Sequence, residues 1–159
     1  RRALGELREQ IDAAADAVRE VAHGLSPRIL SEQGLGPALE ELTAGLPVET
    51  DVSWEGRTGS GAPSPSDEAS EDLYLIASEA ITNAMKHSGC SRIEVDVARQ
   101  DDVVQLTVRD DGAGGAAPTG RGILSMAARA RRLGGTFELV SPDGGPTTVM
   151  VRIPSGGPR

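Results

Sequence analysis

The sequence predicts an α+β fold, a two-layer α/β sandwich, and three observations predict it. Helical periodicity is confined to a few segregated stretches. The stretches of alternating apolar residues follow one another mainly through tight turns, which argues against a repeating βαβ array. Glycine-rich segments sit where strands end and helices begin.

The elements follow in order. Leu4, Leu7, Ile11, Ala14, Val18, Val21 and Leu25 alternate spacings of three and four, a heptad seam. So narrow a stripe suits packing in a coiled coil or bundle, with an amphipathic helix lying on its own domain as the other reading. Ser26-Pro27 ends that helix. Gly34-Leu35-Gly36-Pro37 opens a short helix to about Leu46, and Val48 to Trp54 reads as a strand with Val48, Val52 and Trp54 on one side. Gly56 to Ser66 is an exposed loop by composition. A long helix runs from Asp67 to about His87, its first turn acidic as the helix dipole favours. Strands at Ile93–Ala98 and Val103–Arg109 meet at a polar turn around Gln100–Asp102. A glycine-rich stretch, Gly112 to Gly122, leads to a helix from about Ile123 to Leu133, stopped by Gly134-Gly135. Strands at Thr136–Ser141 and Thr147–Ile153 close the chain.

Composition excludes several function classes. The chain has 159 residues, 38% hydrophobic and 25% charged, with one Trp, one Tyr and one Phe, so aliphatic side chains must fill the core. A net charge of −8 argues against direct nucleic-acid binding, which needs excess Lys and Arg. A single Cys90 precludes an intramolecular disulfide and multi-cysteine metal sites. No apolar run approaches the roughly 20 residues that span a bilayer. The expected location is cytoplasmic. The start inside a helical pattern at Arg1 reads as that of a fragment, so a membrane anchor is expected only through an upstream segment.

Three segments carry chemistry. On the central helix Leu73, Ile76, Ala77, Ala80 and Ala84 form an apolar stripe, and Glu79, Asn83, Lys86 and His87 form a polar stripe beside it. An Asn amide oxygen suits Mg²⁺, Glu79 can accept a proton or hold a metal-bound water, and Lys86 can pair with a phosphate. A solvated face with i,i+4 pairing explains the same row. Asp110-Asp111-Gly112-Ala113-Gly114 ends a strand, where glycines permit close approach of a ligand and an Asp can accept from an adenine amino group; a turn preference also accounts for Asp-Gly. Gly120-Arg121-Gly122 precedes a helix, and free amides at a helix N-terminus cradle phosphate. Neither loop matches G-x-x-x-x-G-K-[ST] or a Rossmann unit.

In order and spacing these segments resemble the catalytic ATP-binding domain of two-component sensor histidine kinases, in the superfamily that includes DNA gyrase, Hsp90 and MutL. Glu79-Ala80-Ile81-Thr82-Asn83-Ala84-Met85-Lys86-His87-Ser88 resembles the N box, Asp110 to Gly114 the D-x-G-x-G box, and Gly120 to Met126 the second glycine box. Ala127 to Thr136, and Leu25-Ser26-Pro27-Arg28-Ile29-Leu30 with Gly34-Leu35 and Ala38-Leu39, are similar to the subfamily of nitrate sensors and the desaturase thermosensor. The resemblance covers nearly the whole chain.

It implies a Bergerat-type sandwich at residues 31–159, preceded at 1–30 by the last dimerisation helix and linker. It implies ATP and Mg²⁺ as cofactors, with Glu79, Asn83 and Lys86 catalytic and Asn83 and Glu79 at the metal. ATP would also meet His87, Asp110, Gly112, Gly114, Gly120, Arg121, Gly122, Ile123 and Thr147. Asp110 would hold the adenine amino group with support from Thr147, often through water. Pro146 stands where the family usually has Gly, and the lid, Gly115 to Thr119, is short. The implied partners are a second copy, through the helical bundle of the full-length protein, and a response regulator. The γ-phosphoryl would pass to a histidine on an absent helix. His23, followed by Gly24 and off the heptad seam, reads as a solvent-facing residue, so the chain alone is not expected to autophosphorylate. Two other readings share the pocket: an anti-sigma-factor serine kinase, against which the heptad helix and the Arg-rich helix count, and a degenerate nucleotide-gated interaction module. Arg121, Arg129, Arg131 and Arg132 stand open to phosphates, a partner or solvent.

Overall fold

The computed structural model describes residues 28–54 and 67–155. The heptad helix, His23 and the whole Gly56–Ser66 loop lie outside the described residues. Helices α1 (Arg28–Gln33) and α2 (Leu35–Thr43) precede strand β1 (Glu49–Trp54). Helix α3 (Asp67–Asn83) continues as one π-helical turn, Ala84–Ser88. Strands β2 (Arg92–Gln100) and β3 (Val103–Asp110) form a hairpin, helix α4 (Arg121–Arg132) follows, and β4 (Thr136–Val140) and β5 (Thr147–Pro154) complete the chain.

The five strands form one mixed sheet in the order β1-β2-β3-β5-β4. Alternation decides its faces. Ile93 and Val95, then Val104, Leu106 and Val108, then Val149, Val151 and Ile153 are buried beneath the helices. Their neighbours Glu94, Thr107, Arg109 and Arg152 occupy the other, half-buried to exposed face. Leu73, Ile76, Ala77, Ala80 and Ala84 of the long helix are all buried, as its apolar stripe predicts, and α3 packs on β3, α2 and α4. The α+β two-layer sandwich is the fold found.

Several details differ from the sequence expectation. The segment after Pro27 holds a helix of its own, and its Leu30 enters the core. Helix α2 stops at Thr43 rather than Leu46: the Thr43 hydroxyl donates back to Leu39 O (3.1 Å), and Gly45 turns the chain at φ +82°. β1 pairs with β2 in parallel, across the crossover that carries α3. Helix α4 begins at Arg121, two residues early, so Gly122 is helical.

The arginines of α4 are resolved individually. Arg129 Nη1 (2.9 Å) and Arg132 Nε (3.0 Å) donate to the carboxylate of Asp72, which is 2% exposed at the start of α3. These two residues, for which the sequence leaves solvent, phosphates or a partner open, instead clasp α4 to α3. Arg131 stays exposed.

Candidate functional site

Between α3, the ends of β3 and β5, and the start of α4 lies a cavity of about 810 Å³, the size of a small-molecule site. Glu79, Asn83 and His87 line one wall. Asp110 and Thr147 line the strand end, and Gly120, Arg121, Gly122 and Ile123 the helix start. The β3–β5 register sets Asp110 opposite Thr147 and Val108 opposite Val149. Asp110 is 5% exposed, and one carboxylate oxygen accepts the Gly112 N–H (2.9 Å). Gly120 caps α4 in an extended conformation, which leaves the amides of Arg121, Gly122 and Ile123 beyond the reach of intrahelical carbonyls. A Cβ on Gly122 would lie 2.1 Å from Glu79 Oε1 and 3.2 Å from Asn83 Nδ2, so the bare glycine lets α4 seat against both polar side chains.

Lys86 is not among the residues that line the cavity. Its expected place assumed α-helical rotation through His87. The wider π-turn under-rotates, which carries Lys86 back from the azimuth of Glu79 and brings His87 round onto it. Gly112 is also not in the lining; a Cβ there would strike Ser88 Cβ at 2.3 Å, and Ala113 N–H donates to Ser88 O (2.9 Å). Gly114 lines the cavity at φ +63°, and a Cβ would meet Pro142 O at 2.0 Å. Both glycines of this box are therefore required by the protein's own packing. Pro146 leaves the pairing of Thr147 with Asp110 intact.

Residues 68–157, more than half of the chain, match the family described as histidine kinase-, DNA gyrase B-, and HSP90-like ATPase. The chain belongs to this family. Among curated relatives, the nitrate/nitrite sensor protein NarX of Escherichia coli is 35% identical over 161 residues, covering 95% of this chain and 26% of that protein. The sensor histidine kinase MctS of Rhizobium johnstonii is 28% identical over 158 residues, covering 95% and 34%. The chain thus spans between a quarter and about a third of these relatives. Two solved structures share the fold. The Erythrobacter litoralis EL346 blue-light activated histidine kinase aligns with a TM-score of 0.65 at 17% identity, over 97% of this chain and 59% of that one. The ATP binding domain of PrrB from Mycobacterium tuberculosis aligns with a TM-score of 0.55 at 23% identity, over 79% and 92%.

Within this ATPase domain the two adjacent aspartates have separate work. Asp110 faces the cavity, whereas exposed Asp111 accepts from the Ser91 hydroxyl (2.6 Å) and from the amides of Ser91 (2.8 Å) and Arg92 (2.9 Å), fastening the entry to β2. Those bonds, the hydroxyl first and then the amides, lower its carboxyl from 3.8 to about 2. A depressed acid contributes stability above its unfolded pKa and loses it as pH falls through the folded value. Asp111→Asn is therefore expected to flatten the fall in stability between pH 3.8 and about 2, read as urea midpoints across that window. Equal pH slopes in both proteins would refute the assignment.

The sequence reading missed several lining residues. Val108 and Val149 are apolar strand residues whose pairing no local signal reveals. Ser125 lies at the helix wall, the Ser88 hydroxyl donates to Ala84 O (2.8 Å) and accepts the Cys90 N–H (3.2 Å), and Ala116 and Ala117 belong to the lid. Among the described residues no group of three or more His, Cys, Asp and Glu side chains is arranged to hold a metal. The Glu79 carboxylate oxygen and the Asn83 amide, the latter through Nδ2, both face the bare side of Gly122, and each residue carries an oxygen that could serve as a donor. This set fits Mg²⁺, which prefers oxygen and is usually bound by one or two protein groups plus phosphate and water rather than by a closed cage.

Proposed function

We propose that this chain is the ATP-binding catalytic region of a sensor histidine kinase, which passes the γ-phosphoryl of Mg-ATP to a histidine and so to a response-regulator aspartate. One observation carries the reading: a single cavity joins the buried acid Asp110 at one end to the amides at the start of α4 at the other, with Asn83 and Glu79 between. Asp110 accepts from the adenine amino group, and Thr147 stands beside it. The amides of Arg121, Gly122 and Ile123, with the Arg121 guanidinium, receive the phosphates. Asn83 and Glu79 hold Mg²⁺, which when bound neutralises charge on the phosphate oxygens. His87 faces the phosphate end, and Lys86 acts from just outside the cavity wall. Gly112 and Gly114 hold the loop beside the base, Gly120 lets the lid end turn into α4, and Gly122 keeps the helix start open to the phosphates.

In the transfer the γ-phosphorus–oxygen bond breaks as a phosphorus–nitrogen bond to the acceptor imidazole forms, and ADP leaves. Such a reaction asks the protein mainly for positioning and charge stabilisation. The acceptor histidine belongs to a dimerisation helix outside residues 1–159, and residues 1–30 supply the last dimerisation helix and linker of a homodimer. The setting is cytoplasmic, with any membrane anchor upstream; no helix among the described residues is long and apolar enough to cross a bilayer. The net charge of −8 disfavours direct nucleic-acid binding. Titration with a fluorescent ATP analogue tests the site. Binding strengthened by Mg²⁺ is expected, and Asn83→Ala is expected to abolish most of that strengthening, about tenfold for one lost ligand. Unchanged Mg²⁺ dependence in the variant would remove Asn83 from the metal.

A further inference from the structure

Ser141 follows β4 and does not line the cavity, yet three of its neighbours do. Its Oγ accepts the Ala116 N–H (3.0 Å) and lies 2.8 Å from Thr147 Oγ1, and its carbonyl accepts the Gly115 N–H (3.3 Å). One half-buried serine thus holds two successive amides at the opening of the lid and the hydroxyl beside Asp110. The turn that follows is braced on the same loop: Gly144 N–H donates to Ala113 O (2.7 Å), and Gly114 lies against Pro142 O. The lid's first residues are therefore anchored to the β4–β5 turn on two sides, by backbone and by the Ser141 side chain.

We propose that Ser141 is a positioning residue that couples the base end of the pocket to the lid. The inference rests on the nucleotide reading above and names a device within that site. A hydroxyl carries one proton and two lone pairs. Ala116 N–H occupies one lone pair of Ser141 Oγ, and in the proposed arrangement Ser141 gives its proton to Thr147 Oγ1. The proton of Thr147 is then left to turn toward the cavity, where Asp110 and the base lie. Occupation at Thr147 fixes this hydroxyl pair, and the pair fixes Ala116, the point from which the lid runs to Gly120. A short lid with few contacts of its own gains its geometry from this anchor.

The experiment compares wild type, Ser141→Ala and Ser141→Thr by amide hydrogen exchange of the 113–119 segment without nucleotide, and by ATP titration. Ser141→Ala is expected to lose protection at Ala116 and to weaken ATP binding about fivefold, the factor that one hydrogen bond contributes. Ser141→Thr, which keeps the hydroxyl, is expected to restore both. Unchanged exchange and affinity in Ser141→Ala overturns the coupling, and so does a loss of affinity that the threonine fails to rescue, since that marks a packing effect. A wild-type chain that does not bind ATP overturns the reading of the site itself, whereas normal wild-type binding with an unaffected alanine variant overturns the coupling alone.

Discussion

Asp72→Ala is expected to lower the unfolding free energy by about 3 kcal/mol, toward the smaller end of what removing one partner of a buried ion pair costs. The residue is 2% exposed, and its carboxylate is shared by Arg129 and Arg132. The orphaned guanidiniums are 27% and 58% exposed, so water recovers part of what they lose. The loss is still large against the roughly 5–15 kcal/mol that holds a domain folded. Its direction follows from geometry: α4 begins at the lid and is clasped to α3 through its last turn, by Arg129 and Arg132. Arg132→Ala should cost less than Asp72→Ala, because Arg129 still neutralises the buried acid. Urea unfolding of the three proteins decides the matter; a midpoint for Asp72→Ala equal to wild type would show that the clasp contributes nothing.

That acid also shows where sequence reading stops. Asp72 follows the acidic residues of the long helix's first turn, and nothing in the local sequence sets it apart from them. Its partners are 57 and 60 positions away, and no periodicity connects them. The core was legible because burial imposes a repeat: Leu73, Ile76, Ala77, Ala80 and Ala84 recur at helical spacing, and β3 and β5 alternate. Helix α1 was missed because six residues are too few for a period to show. The parallel pairing of β1 with β2 has no local signature, since no tight turn joins them. Of the candidate site, Glu79, Asn83, Asp110, Thr147 and the Gly120–Ile123 segment do converge on one cavity. Lys86 is displaced by a π-turn that a fixed 3.6-residue repeat cannot anticipate. The sequence also offered no means of telling what Asp111 does from what Asp110 does; that depends on which way each carboxylate leaves the end of β3.

The separation of those two aspartates makes the decisive binding experiment clean. Asp110→Asn is expected to weaken ATP binding about a hundredfold, the scale of a hydrogen bond to a charged group left unmade and its donor left unpaired. The asparagine oxygen can keep the bond from Gly112 N–H, so the loop and the fold should survive. What changes is the second position of the group, where an NH₂ donor replaces a carboxylate acceptor and confronts the amino group of adenine. Burial at 5% exposure leaves little water to relieve that clash of donors. Asp111→Asn is the matched control, because its contacts are with Ser91 and Arg92 and not with the cavity. It should alter acid stability and leave ATP affinity nearly unchanged. Calorimetric titration of both variants at neutral pH separates the roles. If Asp110→Asn bound ATP within about threefold of wild type, the adenine end would lie elsewhere in the cavity, because a lost charged hydrogen bond costs more than that.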